Sequence, residues 1–385
     1  MVLRLTIVAA AAALLATGSD GAALSGAGVS RALWQGPVLA GDAVVWAEAA
    51  GGTGSIHLWR GRGDRVIYRS DSLALTRSLA ASRTLLAFER SYPSCSPQPN
   101  YVCPQAEDAL VGSLTGPFRT LVRPRTCTLA TDGNAFAVDG GVAAYIELDC
   151  ARDRLRVLVR DVAHRRGPIV LGEGTVSGGC CRAVAIAGRY VAWNDLPGQV
   201  VVYDRVGRRV AYRADIRSRA GSAVDIGFDL QQDAKLAVAY RSLAVEPGQP
   251  TTVAWFSRSA ARPHVLRLRG RDTRIRIAGD RIALERYVTP KTSALILADL
   301  AGRVQTVTRF ASPARLRGGF DFDGRRLAWA SDRITATRVD CPPPGQGRPC
   351  VRRESGITTI WLRAAPARPP TLVTRLPFHD EIARP

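Results

Sequence analysis

The sequence predicts an all-β chain closed into a seven-bladed β-propeller of four-stranded antiparallel blades, and three observations predict it. A short phrase recurs seven times along the 385 residues: a turn residue, a few variable positions, an aliphatic pair, then a bulky apolar residue. The phrases end at Trp46, Phe88, Tyr145, Trp193, Val238, Leu284 and Trp329, at intervals of 42, 57, 48, 45, 46 and 45 residues. A period this steady across a whole chain is the mark of a repeat architecture. Each period also divides into four runs rich in Val, Ile, Tyr and Trp, with Gly, Asp and Pro at the joints. Lastly, no stretch longer than about ten residues keeps the apolar spacing of a helix. Four antiparallel strands per unit, repeated seven times, close radially and leave no long sheet edge free.

The elements follow in order. Ahead of the repeats, Arg4 precedes a run from Leu5 to Ala16 that is apolar except for Thr6, and small residues come next. This is the layout of a secretory signal peptide, expected over residues 1–23, and an apolar run of about 14 residues is too short to span a bilayer. No later stretch is long or apolar enough to be a membrane span. The propeller is expected over 24–376, with a short tail over 377–385. Unit one places strands at 33–39, 44–48, 56–59 and 65–68; unit four at 183–187, 190–194, 200–203 and 209–213. Unit five reads 224–228, 236–240, 252–256 and 265–268, and unit seven 320–322, 326–330, 359–362 and 371–374. Because the first and last units each hold four strands, the ring should close by packing one against the other, with no strand exchanged.

Within unit seven, the segment from Phe322 to Arg333 resembles the repeat of TolB-like, WD-repeat-like propellers. That repeat reads Pro-Asp-Gly, two basic residues, an aliphatic, Ala, an aromatic, one variable position, then Ser-Asp-Arg. Here Phe322 replaces the Pro, and Asp323, Gly324, Arg325, Arg326, Leu327, Ala328, Trp329, Ser331, Asp332 and Arg333 match. The resemblance implies that the first strand of each unit lines a central channel and the fourth lies outermost. It further implies that the 4–1 and 2–3 connections share one face and the 1–2 and 3–4 turns the other. It speaks for fold and not for activity.

Sorted that way, the chain is lopsided. The 1–2 turns are minimal, whereas the 2–3 connections carry insertions at 91–105 and 335–353. All eight cysteines fall on the insertion side: Cys95 and Cys103, Cys127, Cys150, Cys180 and Cys181, Cys341 and Cys350. An even count after a signal peptide fits disulfides in an oxidising compartment. Cys95 should pair with Cys103 and Cys341 with Cys350, each within its own insertion. Cys180 and Cys181 should cross-link to Cys127 and Cys150, in an order the sequence leaves open. Cysteine and histidine spacings match no zinc motif.

Charge is extreme: 53 Lys+Arg against 33 Asp+Glu give a net +20, and Lys235 and Lys291 are the only lysines. Arginine bias of this kind also follows from GC-rich coding, so only part of the charge speaks for a partner. Charged residues recur just after the second strand: Glu48, Glu89, Arg90, Glu147, Asp195, Glu285, Arg286, Asp332 and Arg333, with Tyr92 beside the second set. They form the candidate binding face, although turn formers and exposed ion pairs would give the same pattern. No nucleophile elbow, metal-protease motif or phosphate loop is present. Asp321-Phe322-Asp323-Gly324 lacks the remaining ligands of a calcium loop and reads as a hairpin turn. His57 falls in a third strand, His164 and His264 near 3–4 turns and His379 in the tail, away from the channel mouth.

The expectation is therefore a secreted, monomeric, non-catalytic scaffold, without cofactor or metal, binding an extracellular protein or an anionic cell-envelope polymer on its disulfide-bearing face. The alternative is a propeller enzyme acting on an extracellular polysaccharide. Trp46, Trp193 and Trp329 sit at regular core positions and make no stacking platform, which argues against nucleic acid.

Overall fold

The computed structural model describes residues 31–383 apart from 51–52, 71–77, 94–104, 126–134, 150–151, 176–182, 197, 217–223, 243–251, 260–263, 267–273, 290–291, 342–349 and 366–367. Its 28 strands make seven four-stranded sheets, each antiparallel and in sequence order, and no α-helix occurs among the described residues. Blade one takes Arg31–Ala40, Ala43–Ala50, Thr53–Trp59 and Asp64–Ser70. Blade seven takes Ala314–Phe322, Leu327–Asp340, Val351–Arg363 and Thr371–Ala383. No strand crosses between them, as the sequence predicts. The segment 1–23 lies outside the described residues.

The recurring phrase is the second strand of every blade. Trp46, Phe88, Tyr145, Trp193, Val238, Leu284 and Trp329 are all 0–3% exposed. Such strands read as nearly unbroken apolar runs because both faces are covered. In blade one, Val45 packs toward blade two, while Val44 and Trp46 pack toward blade seven. Buried apolar residues gather in seven clusters, one at each junction of adjacent blades. The closing junction sets Leu33, Trp46 and Trp59 against Ala328, Ile360 and Leu376. Burying a large apolar side chain is worth about 1.5–3 kcal/mol, so apolar packing alone can hold the ring shut.

Blade seven departs from expectation. Its last three strands run 14, 13 and 13 residues. Within the segment 335–353, expected as a loop, residues 335–340 and 351–353 extend the ladder until Asp340 faces Val351. Residues 377–383, expected as a tail, continue the fourth strand, with His379 opposite Ser355 and Ala383 opposite Val351. Pro377 reads as a break in the sequence, but an outermost strand tolerates the missing N–H. Leu376 and Phe378 on either side are fully buried and hold the strand down. At the tip, Cys341 and Cys350 form the expected disulfide across a Cα separation of 4.2 Å. Cys95, Cys103, Cys127, Cys150, Cys180 and Cys181 lie outside the described residues.

Candidate functional site

On the insertion face, most of the predicted charged residues are taken up inside their own blades. Arg90 donates to Asp108 (2.8 Å) and to the Tyr68 hydroxyl (3.2 Å), and the Asp108 bond raises its pKa further. Arg156 pairs with Glu147, and Arg213 donates to Asp195 (2.8 Å). Glu89 and Arg286 are half-buried, and Glu285 is buried. Tyr92 lies in the strand Leu85–Pro93, and among the described side chains of the set only Arg333 is exposed.

Asp332 is the clearest correction to the expected face, being 1% exposed. It accepts from Arg315 (3.2 Å), Arg317 (3.0 Å) and the Thr358 hydroxyl (2.7 Å). Glu354, equally buried, accepts from Arg315 (2.8 Å) and Arg352 (2.5 Å). The Phe378 ring lies beneath Arg315 and Arg317, with guanidinium carbons 5.8 and 4.8 Å from its centre. Two carboxylates and three guanidiniums thus fill the base of the blade-seven extension. Buried charges persist only when compensated this fully. Sequence reading counted Asp332 as a surface group because its partners lie on other strands.

His57 makes a second buried polar chain. Its Nδ1 meets Asp64 (3.0 Å), while its Nε2 meets the Ser55 hydroxyl (3.0 Å) and Glu48 (3.5 Å). Glu48 also accepts from the Trp46 indole (2.6 Å). Glu48, His57 and Asp64 are of metal-ligating type and lie close together. Register decides against coordination: Trp46 faces His57, with Glu48 one row to one side and Asp64 one row to the other. Each acid therefore meets a different ring nitrogen, whereas a metal would take one nitrogen with both acids beside it. The Ser55, His57 and Asp64 order also matches a nucleophile, base and acid. Glu48, however, shares the serine's side of the ring, and Ser55 does not line the channel cavity.

A concavity opens at the 1–2 turns, on the opposite face. The first strands of all seven blades and several 1–2 turns line a cavity of about 720 Å³. Small residues recur along its walls, among them Ala80, Ala137, Ala185, Ala187 and Ala278. Three aspartates latch adjacent blades across it. Gly188 of blade four donates its N–H to Asp139 of blade three. Ile277 of blade six donates to Asp229 of blade five (2.9 Å), and Leu39 of blade one to Asp321 of blade seven (2.7 Å). The last bond spans the closing junction. Arg276 donates through Nε to Asp321 (3.0 Å). Burial pushes the Asp229 carboxyl up to about 6, against the downward pull of Arg276 and of the Ile277 N–H. Burial would lower the Arg276 pKa, but Asp229 and Asp321 outweigh it and raise it.

The sequence places Asp321 and Asp323 in a hairpin turn. Asp323 does behave so, accepting from the N–H groups of Arg325 (3.0 Å) and Arg326 (2.6 Å). The signal for the others was an aspartate at or near the end of strand one in units three, five and seven.

No protein-family model matches the chain, and no curated protein matches it in sequence. Among solved structures, it is similar to hydrazine synthase of Kuenenia stuttgartiensis (13% identity, 80% of this chain and 95% of that one, TM-score 0.47). It is also similar to the β-propeller domain of the Trilobed protease from Pyrococcus furiosus (9% identity, 78% and 95%, TM-score 0.45). BamB from Moraxella catarrhalis is a third (11% identity, 79% and 96%, TM-score 0.42). Similarity at this level concerns architecture and carries no activity across.

Proposed function

We propose that this chain is an exported, non-catalytic scaffold that binds a partner presenting negative charge, a protein or an anionic cell-envelope polymer, on its insertion face. One observation carries the reading: the blade-seven extension is a clamped arm with a basic outer surface. Its tip is closed by Cys341–Cys350 and its base by the Asp332 and Glu354 network. Strand alternation turns Asp332, Thr358 and Leu376 inward. The same alternation sets Arg333, Arg338, Arg353 and Arg375 on the outward face, around the exposed Ile357. Asp340 pairs with Arg338 and Arg353, and the described side chains leave this face net positive. Rigid arms on a stable scaffold are where binding concentrates. Export is supported by the signal-like N-terminus and by a disulfide, which persists in oxidising compartments.

Retention of the purified chain on immobilised polygalacturonate and on an acidic protein tests this. Reversing Arg338, Arg353 and Arg375 to Glu should weaken retention about tenfold at ~150 mM salt, where only nearby charges act. Reversing Arg208 and Arg209, exposed on a blade-four turn, should change it far less. Equal loss from both sets would mean that overall charge, and not the arm, does the binding.

A further inference from the structure

The second strand of blade seven, Leu327–Asp340, outruns the first. Strand one begins at Ala314, opposite Arg333, and one further bond, from the Ile334 N–H to the Pro313 carbonyl (3.0 Å), closes that side. From Ala336 to Asp340 the second strand pairs with strand three alone. Among the described residues, no strand or turn bonds its other, channel-side edge. At about 3.4 Å per residue this open edge is ~17 Å long, the length of an ordinary strand.

Sheet edges are normally blunted against pairing, and the two edges of the arm differ in that respect. The outermost strand carries Pro377, which removes a donor. The channel-side edge has neither proline nor glycine between Thr335 and Val339, and all five of those residues are exposed. Thr335, Thr337 and Val339 are β-branched, which suits a strand. The single bulge, at Thr335, lies at its base. The edge is also held in shape: Cys341 ties its end to strand three through Cys350, and Asp332 anchors its start. A strand that joined it would meet an ordered template, so little ordering cost falls on this side.

The side chains indicate which strand would fit. Arg338 stands opposite Arg353 on the outward face, while Val339, 49% exposed, turns to the other. We propose that residues 336–340 take up an extended segment of the partner as an added strand, and that this segment alternates acidic and aliphatic residues. The proposal rests on the scaffold reading above and narrows it to a protein partner, held through its main chain as well as its charge. Acids of the segment lie beside Arg338 and aliphatic side chains beside Val339, as cross-strand neighbours. A second copy of this chain fits less well, since each copy carries a net +20.

Fluorescence anisotropy tests this with a labelled peptide of alternating Glu and Val, about eight residues long, and the full oxidised chain. The peptide should bind saturably at ~150 mM salt, where only nearby charges act. Two further peptides carry N-methyl groups on every Glu or on every Val, which strips the donors from one peptide edge and leaves the other intact. One of them should bind at least about tenfold more weakly than the parent, and the other nearly as tightly. Val339→Glu should weaken the parent about fivefold. Val304→Glu, exposed on the outer strand of blade six, should leave it unchanged. Equal binding of the two methylated peptides, or no binding of the parent up to ~1 mM, overturns strand addition. If polygalacturonate is still retained through Arg338, Arg353 and Arg375, the scaffold reading survives that result with a polymer as partner. If retention is indifferent to those arginines as well, the scaffold reading falls with it.

Discussion

The two ends of the molecule use the same groups, aspartate and arginine, to different effect. At the base of the blade-seven arm every buried acid meets guanidiniums, and Asp332 a hydroxyl besides, so Asp332 and Glu354 lie in a closed network. At the channel mouth Asp321 is similarly held, but Asp139 and Asp229 have backbone donors and no ion pair. What separates the regions is compensation. Complete compensation fixes a conformation and leaves little for a ligand to gain. Incomplete compensation costs stability in the empty protein and leaves free energy that a counter-charge can recover, as functional sites commonly do.

The sharpest way to break this comparison is Asp332→Ala. Removing one carboxylate from a buried ion network takes counter-charge from its cations, here Arg317 and Arg315, the latter keeping Glu354, and typically costs about 3–5 kcal/mol. Urea unfolding should register that loss, together with weaker retention on acidic supports as the arm loosens. A loss under about 1 kcal/mol would show that water enters the network and that its closure is only geometric. The disulfide at the other end of the arm should matter less. Replacing Cys341 and Cys350 by serine opens a short loop, for which chain entropy gives ~2–3 kcal/mol. Equilibrium unfolding of the oxidised protein and of the double serine variant measures it.

The fold was legible because its strongest signal is repeated by necessity. Each second strand is buried on both faces, so Trp46, Tyr145, Trp193 and Trp329 recur with the blade. The limits of blade seven were less legible: Pro377 looks like a terminator, and only the neighbouring strand shows that Leu376 and Phe378 are covered. The charged residues after strand two were visible as types and positions. Their roles were not, because Asp108, Arg156, Arg213 and Arg315 reach them from other strands of the blade. Asp139, Asp229 and Asp321 converge only once the ring closes, since they stand in alternate repeats. Local sequence can mark each as a turn residue but cannot bring them to one cavity.

The smallest expected effect is also the most discriminating, and it runs in the stabilising direction. Folding raises the Asp229 carboxyl from its ordinary value of 3.8 to about 6. Between those values the folded protein keeps the proton that the unfolded chain releases, so wild-type stability from this group falls as pH rises from about 4 to about 6. Above that window the ionised, desolvated carboxylate is carried as a cost. Asparagine does not titrate, its carbonyl can still accept from the Ile277 N–H, and Arg276 keeps its bond to Asp321. Asp229→Asn should therefore stabilise the protein by ~1–2 kcal/mol at pH 7.5, a figure discounted for the water that reaches the channel wall. Near pH 3.5 the advantage should nearly vanish, because aspartate is then protonated in the folded state and mostly so in the unfolded one. Urea unfolding of the two proteins at both pH values checks it, and the difference between them cancels every other titrating group. A variant no more stable than wild type at pH 7.5 would mean that Asp229 is as fully compensated as Asp332, and the contrast between the two faces would not hold.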